Sequence, residues 1–282
     1  VTPDNFMKVL TGTASGKSLQ STSEDNVFIF FSDHGAPGLI AFPASAGVLH
    51  KADLQSTFQT MSDNKMFNKL TFYLETCESG SMFEDMSIPN VYALSAANPT
   101  ESSWGSYCGS AAMVNGVSIN SCLGDLFSVN WMEDAESVDT TSESLDSAFN
   151  LIRTETDRSQ VMQWGDTSFT DDKVSEFIGN LNLLSATKAE DPSKSAVSAR
   201  QVDLARLYSM YTAATTSAER LQIGAELQQE LAQQLAVDYI HNRFLALVFP
   251  GNEAKQDAMR TSKSKPAFKD CELRVHNAFQ NY

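Results

Sequence analysis

The sequence predicts an α/β domain built on a parallel sheet and followed by an all-α region. Three observations carry this. Asn26–Phe31 (NVFIFF) and Lys69–Leu74 (KLTFYL) are short apolar runs rich in Phe, Tyr, Val and Ile, the pattern of buried strands. Lys51–Asn64 lies between them and reads as a helix, so the unit is a strand–helix–strand crossover joining parallel neighbours. After Ser185–Ala199, a polar stretch whose one large apolar side chain is Val197, the pattern becomes helical throughout.

The elements follow in order. Thr2 and Pro3 start a helix that Gly12 ends. The first strand runs into the polar turn Ser32-Asp33-His34-Gly35, the second into Glu75-Thr76-Cys77-Glu78-Ser79-Gly80. Ser79–Met86 is expected as a short helix or turn. Asn90–Ala97 (NVYALSAA) is a third strand, ending in the polar run Asn98–Ser103. Trp104–Leu123 is a loop rich in Gly, Ser and Ala that carries Cys108 and Cys122. Asp125–Asp134 and Ser142–Thr156 are amphipathic helices, and Lys173–Ile178 is a last short element. Ser185–Ala199 reads as a flexible linker. Helices are expected over Val202–Tyr211, over Thr216–Val248, which Pro250-Gly251 stops, and over Asp270–Tyr282. This divides the chain into a domain at 1–182, a linker at 183–199 and a helical region at 200–282.

The net charge of −15 is unevenly placed. Residues 1–191 hold 9 Lys/Arg against 26 Asp/Glu, and residues 192–282 hold 11 against 9. The acidic part argues against nucleic-acid binding, and the opposite balances favour association of the two parts. No apolar run reaches the length of a membrane span. Val1–Phe6 lacks the basic start and apolar core of a signal peptide. The four cysteines form no CxxC and the four histidines are scattered, so neither a metal site nor a cofactor is expected.

Ligand sites of open parallel sheets lie beyond the carboxyl ends of the strands. His34 and Cys77 therefore face each other there, as a Cys–His nucleophile pair would. Taken singly, a strand-end cysteine also reads as a small buried hydrophobe, and His-Gly as a turn. Taken together, with histidine before cysteine, they follow the order seen in caspases.

Longer motifs extend the likeness. Ser-Asp-His-Gly, Glu-Thr-Cys-Glu-Ser-Gly-Ser-Met-Phe, Ala-Ala-Asn-Pro-Thr-Glu-Ser-Ser and Leu-Gly-Asp-Leu-Phe-Ser-Val-Asn-Trp-Met-Glu-Asp resemble the legumains, the asparaginyl endopeptidases. The resemblance runs from Val1 to about Asn180. It implies a caspase-like α/β peptidase domain, with His34 and Cys77 catalytic and with the backbone N–H groups of Gly35 and Cys77 as oxyanion donors. It implies a pocket for substrate Asn, or Asp at lower pH, made by Glu75, Ser102, Ser103 and Asp125. Asp125 also reads as a helix N-cap. It implies a Cys108–Cys122 disulfide, with Cys271 unpaired. It implies an autoinhibitory helical prodomain released by cleavage at Asn180 or Asn182, with Asp191 the acid-pH alternative. Its substrates would be polypeptides with exposed Asn, in a lysosome or vacuole. It further implies that the first strands and the end of the prodomain lie outside this segment. A GPI-transamidase-like catalytic subunit and an inactive legumain fragment are the competing readings.

Overall fold

A computed structural model of the protein describes residues 1–43, 46–179 and 191–262. Helix α1 (Pro3–Leu10) is capped by Thr2, whose hydroxyl accepts from the Asn5 N–H at 3.1 Å, and has Pro3 at its first turn. Strand β1 (Asn26–Ser32) precedes three short strands, β2 (Gly35–Ala36), β3 (Leu39–Ala41) and β4 (Val48–His50). Helix α2 (Lys51–Asp63) leads into β5 (Lys69–Glu75) and then β6 (Val91–Ser95). Next come β7 (Trp104–Ser106), β8 (Met113–Val114), β9 (Val117–Ser118) and β10 (Gly124–Asp125). Helices α3 (Leu126–Ser137) and α4 (Leu145–Glu155), strand β11 (Met162–Gly165) and helix α5 (Ser175–Ile178) follow. The C-terminal part holds β12 (Val197–Ser198), α6 (Val202–Ala213), α7 (Ser217–Val248) and α8 (Glu253–Thr261).

The central sheet has the order β1-β5-β6-β11. Its first three strands are parallel, as the crossover pattern predicts, and β11 is antiparallel to β6. β5 lies in the middle and is buried along nearly its whole length, as a strand covered on both faces must be. Alternation along β5 feeds two cores. Leu70, Phe72 and Leu74 join Leu54 and Phe58 of α2, while Tyr73 packs with Phe127 of α3 and with Phe149 and Ile152 of α4. The 32-residue α7 folds back on α6, and the Ala214 carbonyl in the turn accepts from Arg220 at 2.8 Å.

Several expectations change. β2–β4 form an antiparallel sheet inside the crossover, where the apolar pattern predicts no strands. β11 and α8 were not anticipated, and the loop after β7 contains the β8–β9 hairpin. The expected flexibility of 185–199 fails for its described part. Asp191–Ala199 forms a 3₁₀ turn at Pro192–Ser195 and a strand that pairs with β7. Composition reports only that these residues bury little of their own; the order comes from the edge they bind. Asn180, Asn182 and the helix expected over Asp270–Tyr282 lie outside the described residues.

Candidate active site

The parallel register fixes the site. Ser32 of β1 is paired with Glu75 of β5, so His34 and Cys77 each stand two residues beyond one rung of the ladder. The two turns touch. A Cβ on Gly35 would lie 2.3 Å from the Cys77 carbonyl oxygen and 2.6 Å from Thr76 Oγ1, so only glycine fits. Asp33 holds the first turn, its carboxylate accepting from the His34 N–H at 2.7 Å. His34 is exposed and Cys77 buried, with Cys77 Sγ 3.7 Å from Ser103 Oγ. Glu78, directly after the cysteine, adopts the left-handed conformation (φ 51°) that makes the turn sharp.

Glu75 and Asp125 are neighbours at this edge. Glu75 is 1% exposed, and its Oε2 accepts from the Ser128 N–H at 2.7 Å and the Ser128 Oγ–H at 2.9 Å. It thus caps the N-terminus of α3 from another strand. Asp125 stands at the N-cap position but makes no capping bond; it accepts from Ser32 Oγ at 3.2 Å instead. The N-cap expected of Asp125 is supplied by Glu75. Glu75 Oε1 is buried and has no hydrogen-bond partner among the described residues. Burial, then the neighbouring Asp125 charge, pushes the Glu75 carboxyl well above its ordinary range against the pull of Ser128. Burial likewise raises Asp125, opposed by the Ser32 hydrogen bond and the charge on His34.

The third wall is β7. Ser103 is buried and Ser102 half-buried beside it. β10 pairs with one edge of β7 and β12 with the other. Val197 is opposite Gly105 and Ser198 opposite Trp104, and the Ala199 N–H donates to the Ser103 carbonyl at 3.0 Å. Arg200 then crosses to the two strand-end turns. Its Nη2 donates to Glu78 Oε2 at 2.5 Å and to the Gly35 carbonyl at 3.2 Å. Ser106 Oγ and Arg158 reach the carbonyls of Pro192 and Ser193. Cys108 and Cys122 form a disulfide beside this strand.

All the predicted site residues in the described part therefore gather at one sheet edge. Ser128, Glu78 and Arg200 join them and were not foreseen. A Ser on a helix and an Arg in a polar stretch carry no signal until the fold brings them there.

The Peptidase C13 family's sequence profile matches residues 1–180. The chain belongs to this family. Among relatives of this C13 chain, legumain of Mus musculus is 44% identical over 187 residues, 64% of this chain and 41% of that protein. The hemoglobinase of Schistosoma mansoni is 39% identical over 214 residues, 74% and 48% respectively. The vacuolar-processing enzyme delta-isozyme of Arabidopsis thaliana is 38% identical over 192 residues, 64% and 41%. The chain spans less than half the length of each of these relatives. Among the described residues, no helix is long and apolar enough to cross a membrane, and no group of His, Cys, Asp and Glu could hold a metal ion.

Proposed function

We propose that this C13 chain carries the caspase-like catalytic centre of a cysteine endopeptidase that cleaves polypeptides after Asn, and after Asp in acid. The observation that supports the reading is the contact at Gly35 between the two strand-end turns that carry His34 and Cys77. Cys77 as thiolate attacks the scissile carbonyl carbon. The N–H groups of Gly35 and Cys77 take the resulting oxyanion. The C–N bond breaks, and His34 as imidazolium gives its proton to the leaving amine. Water, deprotonated by His34, then attacks the thioester carbonyl and expels Cys77 as thiolate, leaving His34 as imidazolium and the starting pair restored.

Asn specificity follows from the pocket chemistry. A carboxamide needs acceptors for its NH₂ and a donor for its C=O. Glu75 Oε1, buried without a partner, and Asp125 are the acceptors; Ser102 and Ser103 supply hydroxyls. A pocket carboxyl with a raised pKa is protonated in mild acid and then donates to a substrate Asp carboxylate.

Val197–Ser198 pairs with β7 as an extended substrate would, and Arg200 anchors the turn that follows, which supports a proenzyme silenced by its own C-terminal part. The proposed release cuts at Asn180 or Asn182 precede this strand. Asp191 is itself engaged, its carboxylate accepting from the Ser193 N–H and Oγ–H. The compartment proposed for it is a vacuole or lysosome; the name of the Arabidopsis thaliana relative, a vacuolar-processing enzyme, supports the first of these. The deciding experiment is an Asn-directed covalent probe applied after acid incubation. Labelling at Cys77, lost in Cys77→Ala and in His34→Ala, upholds the reading. Labelling that survives Cys77→Ala overturns it.

A further inference from the structure

We propose that the cavity between helix α6 and the base of the loop Cys108–Cys122 binds a small, multiply charged oxyanion of the phosphate class, and that the bound anion clamps the C-terminal segment onto β7. The site stands apart from the endopeptidase reading; only its effect on Cys77 rests on the silenced state proposed above.

The first ground is the cavity. Its volume is about 300 Å³, the room of about ten liquid waters. One wall is the loop, with Ser110, Ser118 and Asn120; the other is the 3₁₀ turn Pro192–Ser195 and α6, with Lys194, Arg206 and Ser209. The second ground is charge. Lys194 and Arg206 line the cavity, and among the described residues no carboxylate does. The loop cannot supply one: from Ser102 to Gly124 the chain has no Asp, Glu, Lys, Arg or His, although the molecule as a whole stands at −15. The carboxylates that act on the two cations are exposed and outside the lining. Asp203 lies 3.5 Å from Arg206 Nε with its side chain 78% exposed, and Asp191, whose charge feels Lys194, already accepts from the Ser193 N–H and Oγ–H. Exposed pairs of this kind are worth little, so both cations keep most of their pull for a ligand.

The third ground is the donor set. Oxyanions are held by cations and by hydroxyl or amide donors, most strongly where the bonds are charge-assisted. Arg206 spends Nε on Asp203 and Nη1 on Met210 Sδ at 3.4 Å, which leaves its Nη2 donors for a ligand. Asn120 accepts from Ser118 Oγ at 3.0 Å on its Oδ1, which leaves its amide N–H groups to donate. Ser110 and Ser209 add hydroxyls from the two walls. Two cations without a carboxylate between them match a dianion better than a monoanion or a neutral molecule.

The fourth ground is where the walls come from. The loop belongs to the part matched by the C13 profile, and both cations belong to the C-terminal part. They meet because β12 pairs with β7 along the cleft, Val197 opposite Gly105. The seam is tight there: a Cβ on Gly105 would lie 3.0 Å from Val202 Cγ2 and 3.1 Å from Cys122 Sγ. Lifting β12 and α6 away removes one wall and both charges. A ligand that needs both walls therefore binds the closed arrangement and not the displaced one, and it stabilises the closed one by mass action. Phosphate in solution would thus delay exposure of Cys77 without touching it.

The test uses the full chain at neutral pH, with inorganic phosphate and chloride compared at equal ionic strength. Calorimetry is expected to show saturable phosphate binding in the wild type. Lys194→Gln and Arg206→Gln, at an exposed and a half-buried position, should each weaken it about tenfold. Arg243→Gln, an exposed cation on α7, should leave it unchanged. Phosphate at about ten times its Kd should slow iodoacetamide alkylation of Cys77 about tenfold in the wild type, and the Lys194→Gln, Arg206→Gln double variant should abolish the slowing. Phosphate that binds no better than chloride, or binds both single variants as tightly as the wild type, overturns the site. Capture of heparin without binding of phosphate also overturns it, by showing a diffuse basic surface. Phosphate binding that leaves Cys77 alkylation unchanged overturns the clamp. The two readings fail separately: loss of Asn-probe labelling at Cys77 removes the endopeptidase, while phosphate binding is read without any catalysis.

Discussion

Arg200 ties the C-terminal segment to both strand-end turns, those of His34 and Cys77, and its removal has a calculable effect. Glu78 is 1% exposed and the Arg200 side chain 48%, so their ion pair at 2.5 Å is half-wet. Breaking a fully buried pair from one side costs about 3–5 kcal/mol, and an exposed pair is worth about 0–1 kcal/mol. The intermediate burial and the added bond to the Gly35 carbonyl place Arg200→Ala at about 2 kcal/mol. That shifts the balance toward the displaced segment by about 30-fold. The assay is alkylation of Cys77 by iodoacetamide at neutral pH, quantified by peptide mass spectrometry so that other thiols do not interfere. Cys77 is buried with the segment in place, so its alkylation should quicken by about the same factor. Arg260→Ala, which loses only local partners such as Asp257 and Asn242, should leave the rate unchanged. Equal Cys77 alkylation in the wild type and Arg200→Ala would refute the idea that this segment shields the nucleophile.

Three further outcomes follow. Glu75, Asp125 and Glu143 all have carboxyls raised above 4.5, 3.8 and 4.5 respectively, chiefly by burial. Their contribution to stability is therefore complete below those values and is lost as pH rises through the folded-state ones. The exposed Asp25, Asp139 and Asp191 and the half-buried Asp166 are shifted the other way and are largely screened by solvent. Tm should accordingly be higher near pH 4.5 than at pH 7, and Glu75→Gln should flatten the slope; a slope of opposite sign would contradict the burial argument. Gly35→Ala forces a Cβ to 2.3 Å from the Cys77 carbonyl, and a displacement of about 1 Å costs roughly 100-fold in reactivity. Asn-probe labelling within twofold of wild type would show that the turns do not need this contact. Cys108→Ser with Cys122→Ser opens a loop with a sequence separation of 14, worth about 3 kcal/mol in the chain-entropy model, read as a drop in denaturation midpoint.

What the sequence disclosed depended on where the stabilising partner sits. β1, β5 and β6 were legible because a buried parallel strand must be apolar along its length. Their parallel order puts the turns of His34 and Cys77 at one end of the sheet. β11 (Met162–Gly165) escaped because it is short and lies at the edge, with Gln163 and Gly165 breaking the apolar run. The Asn115-Gly116 hairpin did carry a local signal, a turn dipeptide between apolar residues, that the broader loop reading passed over. The roles of Glu75 and Asp125 were beyond local reading. Glu75 caps a helix 53 positions away, and Asp125, standing where a cap belongs, turns to Ser32 instead.

The pairing of β12 with β7 also bears on solubility. β7 is a three-residue strand with β10 on one side and β12 on the other. Lifting β12 off leaves its N–H and C=O groups facing water, the template on which strands from other molecules add. On the proposed function, the segment paired with β7 is thus also an edge guard. Without it, the strand is either filled by a bound extended polypeptide or open to edge-to-edge self-association. Cleft-binding peptide should therefore suppress aggregation of the opened chain as effectively as it competes for the cleft.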